Sequence, residues 1–208
     1  MTATFVNSFI LFFVTIDTVG NLPFFLSLTE GAKIKKRNQI ALKSIIVAFF
    51  IMITFAYLGR YLLEAIHVSL DSLKIAGGVV LMILAIDILF EKRKIRREKR
   101  VEEALDEKNF EEIIVFPIAF TFIAGPSALT TIILLIGNYT NFPEFQVQVI
   151  LALVAALIVS LVLMVGANFI IKYIPQQILH ATARVMAFIL AALATQFIID
   201  GIKASFNI

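Results

Sequence analysis

The chain has 208 residues, of which 60% are hydrophobic and 16% charged, with 20 phenylalanines, no cysteine and a formal net charge of +3. A mean hydropathy of +0.96 lies far above that of a soluble globular domain and marks a polytopic membrane protein. The lack of cysteine excludes disulfides, thiol nucleophiles and thiolate metal sites, the lack of any Gly-Lys dipeptide excludes a phosphate-binding ATPase loop, and nothing in the charge points to nucleic acid.

The first apolar run, 5–29, is not preceded by Lys or Arg and resumes after its interruption, so it reads as a span and not as a cleaved signal. Its interruption is Asp17-Thr18-Val19-Gly20-Asn21-Leu22-Pro23. Gly20 and Pro23 prevent smooth continuation of the helix, and Asp17 falls about halfway along. A carboxylate at that depth costs roughly 2.5 to 3.5 kcal/mol on insertion scales and implies a partner or a task. Pro23 suits the first turn of a new half-helix, with Asn21 as its N-cap.

Spans two and three follow at 40–63 and 70–90. The second of these carries Gly77-Gly78, a pair suited to close helix packing. Residues 91–112 hold eight basic and eight acidic side chains and read as a charged cytoplasmic linker. Span four, 113–136, repeats the interruption as Ala124-Gly125-Pro126-Ser127, with Thr130 and Thr131 placing further hydroxyls beside it. Pro126 again lies at a half-helix start, and the hydroxyls either serve a ligand or bond their own backbone. Spans five and six are read at 146–173 and 183–205.

Fifteen of the 18 Lys and Arg then fall on one side of the membrane, leaving Arg60, Lys74 and Lys203 on the other. The positive-inside rule therefore puts both termini on the extracytoplasmic side. The chain reads as one transmembrane domain, 1–208, all α-helical. It divides into a first repeat at 1–90, the linker, and a second repeat at 113–208. Three spans per half is an odd number, so related halves must be inverted, with helices 1 and 4 broken at the bilayer midplane.

Broken helices survive in hydrocarbon only where protein or a polar cavity satisfies the freed backbone groups. Paired Gly/Pro interruptions point to a midplane substrate site. Two half-helix N-termini meeting there favour a small anion such as a carboxylate, and Asp17 adds a negative pole. Together they suit a zwitterion, although Asp17 equally suits a coupling Na⁺ or H⁺. The deep spans offer one carboxylate and neither His nor Cys, which argues against an enzyme, a metal site or a cofactor.

Four stretches give the chain a resemblance to the MarC family. They are Phe13-Val14-Thr15-Ile16-Asp17-Thr18-Val19-Gly20-Asn21-Leu22-Pro23-Phe24-Phe25-Leu26; Leu73-Lys74-Ile75-Ala76-Gly77-Gly78; Phe116-Pro117-Ile118-Ala119 through Ile123-Ala124-Gly125-Pro126-Ser127-Ala128-Leu129-Thr130-Thr131; and Arg184-Val185-Met186-Ala187-Phe188 ending in Gln196-Phe197-Ile198-Ile199-Asp200-Gly201-Ile202. The resemblance implies a six-span transporter of the plasma (inner) membrane, related to amino acid exporters, with both broken motifs lining the substrate site. It departs from the family pattern at Thr18, where proline is common, at Ser127, where glycine is frequent, and at Asp200, where asparagine is usual.

The resulting expectation is secondary transport of a small neutral amino acid by alternating access. The substrate site would comprise Asp17, Gly20, Asn21, Pro23, Gly125, Pro126, Ser127, Thr130 and Thr131, with Asp17 also at the coupling ion. The partners would be the amino acid, Na⁺ or H⁺, membrane lipids and, as an option, further copies of the chain. The alternative is an exporter or channel for other small molecules, drugs included.

Overall fold

The computed structural model describes residues 2–90, 111–139, 142–167, 169 and 176–206, and among them every regular element is helical. In chain order these are α1 (Thr2–Ile16), α2 (Thr18–Leu28), α3 (Ile34–Ala65), α4 (Leu70–Leu89), α5 (Ile114–Ile123), α6 (Pro126–Asn138), α7 (Pro143–Val165) and α8 (Gln176–Phe206). Five stretches are long and apolar enough to cross a membrane: Ala3–Leu28, Ile34–Leu63, Asp71–Leu89, Pro143–Val165 and Ala183–Phe206. A sixth arises if α5 and α6, bent by 59° at their junction, count as one.

Helix ends depart from the expected spans for a simple reason. Hydropathy marks where lipid begins, whereas a helix continues wherever its backbone bonds are made. Thus α3 begins at Ile34, ahead of the apolar run, and carries Lys35, Lys36 and Arg37 on its first turns. Likewise α8 begins at Gln176, although its apolar part begins at Ala183. In the other direction α7 stops at Val165, where the Gly166 N–H caps onto the Met164 and Val162 carbonyls. The rest of the expected fifth span runs mainly through 168 and 170–173, outside the described residues, as does the charged linker up to residue 110.

What is described at the linker's end is Glu111, which pairs with Lys36 at 2.9 Å and Lys43 at 3.1 Å on α3. The hydrogen bond from Lys36, with that from Lys43, holds the Glu111 carboxyl below the usual carboxylate range. A buried bond from Ser44 Oγ to Ile114 O, 3.1 Å long, continues this attachment of α3 to α5.

Packing divides into two parts. The larger core joins α1, α2, α3, α5, α6 and α7 through buried side chains such as Phe12, Phe25, Met52, Phe122, Ile132 and Leu153. A second cluster gathers Leu81, Ala85 and Ile88 of α4 with Ala187, Leu190 and Ala194 of α8, and Val14 of α1 joins it. Lipid-type faces remain outside, with Phe50, Leu58, Ile83, Val162 and Phe188 all exposed, as expected where the solvent is hydrocarbon.

Glycine sets the closeness of the α4/α8 pair. A Cβ on Gly78 would stand 2.7 Å from Ala194 O, and one on Gly201 would stand 2.9 Å from Asp71 O. Gly77 faces α6, where a Cβ would meet Leu134 Cδ1 at 2.6 Å and Thr130 Cγ2 at 2.8 Å. Both residues of the Gly77-Gly78 pair thus lie at close helix contacts. Because the obstacle at Gly78 is backbone, Gly78→Ala must push α4 and α8 apart. The expected cost is about 1 to 3 kcal/mol, read as a lowered unfolding temperature in detergent, and an unchanged midpoint would show that the pair separates freely.

Candidate functional site

The first break is made by Asp17 itself. Its backbone lies in the left-handed region at φ 51° and ψ 53°, which aspartate and asparagine tolerate better than other non-glycine residues. The Asp17 N–H still closes α1 onto Phe13 O at 3.2 Å, and its carbonyl accepts the Asn21 N–H at 3.1 Å to open α2. Its carboxylate caps α2 by accepting the Gly20 N–H at 3.3 Å. Gly20 makes room for this arrangement, since a Cβ there would stand 2.5 Å from Asp17 Oδ2.

The expected N-cap, Asn21, is therefore corrected to Asp17, and Pro23 is not in a first turn but inside α2, with its ring exposed. The reason is local. Left-handed geometry at Asp17 starts a new helix one residue later, so Asn21 already sits within it. Its side chain is then free for a different task. Asn21 Nδ2 donates to Ile16 O at 2.8 Å and to Phe122 O at 2.9 Å.

The second break is built differently. Helix α5 is wound with five-residue returns, ending in the Ala124 N–H to Ala119 O bond at 2.8 Å. Such π-type winding is uncommon and recurs at functional sites. Gly125 is extended at φ −65° and ψ 170°, and Pro126 opens α6 at its first position with no side-chain cap. Gly125 is buried, and a Cβ on it would stand 2.8 Å from Thr121 O.

The two breaks touch. Besides the Asn21 bond to Phe122 O, Ser127 Oγ donates to Thr15 O at 3.2 Å. The rings of Phe24 and Phe122 pack with centroids 6.1 Å apart. Each break thereby supplies donors to carbonyls that the other has freed, which answers the backbone accounting a membrane imposes. A third helix joins through Thr18 Oγ1, which is hydrogen-bonded to Ser160 Oγ of α7.

In front of this seam lies a shallow open cleft lined by Phe13, Val14, Asp17, Thr18 and Val19 with Ala183 and Met186 of α8. Asp17 is half-buried at its wall. One wall continues outward as a ladder of stacked rings, Phe5, Phe9 and Phe13, at 6.4 and 6.1 Å spacing.

The nine residues expected at the site separate into three places. Asp17 lines the cleft, with Gly20 beside its carboxylate. Asn21, Gly125, Ser127 and Thr131 are buried in or behind the seam. Pro23 and Pro126 are exposed, and Thr130 spends its hydroxyl on Pro126 O at 2.8 Å, as Thr131 does on Ser127 O. Sequence reasoning passed over Ser160, whose signal was its standing as the one polar side chain in the run 149–165. It also passed over the cleft contribution of Ala183 and Met186. Among the described residues no group of three or more His, Cys, Asp or Glu is placed to hold a metal ion.

Comparison with known proteins adds relatives along the whole chain. Residues 2–206 match the family described as MarC family integral membrane protein. A UPF0056 membrane protein of Archaeoglobus fulgidus is 35% identical, over 95% of this chain and 92% of its own length. One from Methanocaldococcus jannaschii is 30% identical, over 98% and 88%. The UPF0056 inner membrane protein YhgN of Escherichia coli is 26% identical, over 95% of each. No solved structure matches.

Proposed function

The chain belongs to the MarC family of integral membrane proteins, and from that premise we propose that it is a secondary transporter of a small neutral amino acid of the glycine, alanine, serine and threonine class. It works by alternating access in the plasma (inner) membrane, coupled to Na⁺ or H⁺, with both termini extracytoplasmic. The observation that carries this reading is the meeting of two helix breaks behind a cleft with one carboxylate in its wall. A continuous helix would need neither the donors nor the cleft.

An inverted repeat is supported by how contacts pair off. Exchanging the first three spans with the last three turns the α1/α2 contact with α7 into the α3 contact with α5/α6, and both are present. The contact of α4 with α6 likewise answers that of α8 with α1/α2, while the α4/α8 and α3/α7 contacts map onto themselves. Rocking of one half on the other then opens the seam to either side.

In this reading the substrate ammonium group sits on Asp17. The α2 start is closed to an anion by its own Asp17.

Purified protein in proteoliposomes decides the matter. Labelled glycine, alanine, serine and threonine should enter and exchange when Na⁺ or pH gradients are imposed separately. Drug flux without amino acid flux would favour the exporter reading, and neither would end the transport reading.

A further inference from the structure

The polar side chains of the seam use their donors on one another and on backbone carbonyls. Asn21 is fully buried, and both its N–H bonds are used on Ile16 O and Phe122 O. These neighbours are carbonyls that only accept, so the amide cannot be turned around. Its Oδ1 has no hydrogen-bond partner. The Thr18–Ser160 bond can run in either direction; the arrangement that satisfies both hydroxyls has Ser160 donating to Ala156 O at 2.9 Å and Thr18 donating to Ser160. Thr18, 1% exposed, is thereby left with lone pairs alone. Ser127 and Thr15 have likewise given their protons to Thr15 O and Leu11 O.

In that arrangement the buried side chains of the seam present acceptors, Asn21 Oδ1 first among them. The backbone adds to this polarity. Helices α1 and α5 both end here, at Ile16 and Ile123, and the negative ends of their dipoles converge on Asn21. The opposing start of α2 is already neutralised by its Asp17 cap. An orphaned buried acceptor costs about 1 to 3 kcal/mol and calls for an explanation.

We propose that Asn21 Oδ1 and Thr18 Oγ1, one turn apart on α2, form with the carbonyl ends of α1 and α5 a site for a dehydrated monovalent cation of the Na⁺ class. Neutral oxygens suit one positive charge rather than two, and unwound carbonyls at broken helices coordinate Na⁺ in this way. The site adjoins Asp17, since Thr18 lines the same cleft, but it takes its ligands from Asn21 and Thr18 and not from the Asp17 carboxylate. An amino acid's ammonium group carries a body that a fully buried amide cannot admit. As the coupling site this inference rests on the transport reading, although its geometry does not.

The test is thermal unfolding of purified protein in detergent, in NaCl against choline chloride at equal ionic strength, with methylammonium chloride as the ammonium probe. Na⁺ should raise the midpoint saturably and methylammonium should not. Thr18→Val, which keeps shape and loses the oxygen, should raise the half-saturating Na⁺ concentration about tenfold, while Asp17→Asn should keep the response. A wild type indifferent to Na⁺, a Thr18→Val response equal to wild type, or an equal shift with methylammonium would each overturn the proposal. Amino acid uptake driven by a pH gradient without Na⁺ separates the two readings. Uptake without a Na⁺ shift ends the cation site alone, and a Na⁺ shift without uptake ends the transport reading alone.

Discussion

Replacing Asn21 by alanine is expected to lower stability by about 2 to 5 kcal/mol and to abolish amino acid uptake. Ordinary hydrogen bonds between membrane helices average only about 0.6 kcal/mol in double-mutant cycles, so the size of this effect needs its own reason. Asn21 serves two carbonyls at once, Ile16 O from its own break and Phe122 O from the other. Both freed acceptors remain buried when the donor leaves, at about 1 to 3 kcal/mol each. The contact of the two breaks would also lose the Asn21 tie to Phe122 O and keep that of Ser127 to Thr15 O. Ser127→Ala, which strands one carbonyl, should cost roughly a third to a half as much. Urea or thermal unfolding in detergent gives the ranking. If Asn21→Ala matched wild type, the seam would be filled by lipid or water in solution and the cross-tie would not organise the site.

How far these features could be read from residues alone depends on the range of the interaction. Apolar runs located the membrane stretches, because burial in hydrocarbon is set residue by residue. Gly125 and Pro126 located the second interruption, because glycine and proline act on their own backbone, while Gly20 and Pro23 pointed to the neighbourhood of the first, which Asp17 makes. Proline needs no contact with a site to do this, which is why Pro126 marks the second break and yet lies exposed, whereas Pro23, also exposed, lies inside α2 beyond the break at Asp17. The capping partner was misread because Asp17 and Asn21 both suit a cap, and only the left-handed backbone at Asp17 decides between them. Thr18 with Ser160, 142 residues apart, and Asn21 with Phe122 O, 101 apart, were beyond local reasoning altogether. Ser160 is a single hydroxyl in an apolar helix and gains meaning only from the neighbour that the fold supplies.

Asp17→Asn should leave the fold intact and reduce amino acid uptake roughly 10- to 100-fold. Asparagine tolerates the left-handed backbone at φ 51° as aspartate does, and its side-chain oxygen caps the Gly20 N–H equally well. The break is therefore preserved and the charge alone removed. The expected loss is that of a charge-assisted bond to the substrate's ammonium group, about 1.5 to 3 kcal/mol, which converts to that fold-change. Asp17→Ala behaves differently, because alanine neither caps α2 nor accepts the left-handed conformation. Its cost of about 1 kcal/mol for the cap and 1 to 3 kcal/mol for the strain should appear as a lowered unfolding midpoint. The pair of variants separates charge from architecture. Uptake by Asp17→Asn at the wild-type rate, with Asp17→Ala destabilised, would reduce the carboxylate to a helix cap. Loss of uptake in a fully stable Asp17→Asn would assign the charge to transport, since nothing else in the break has changed.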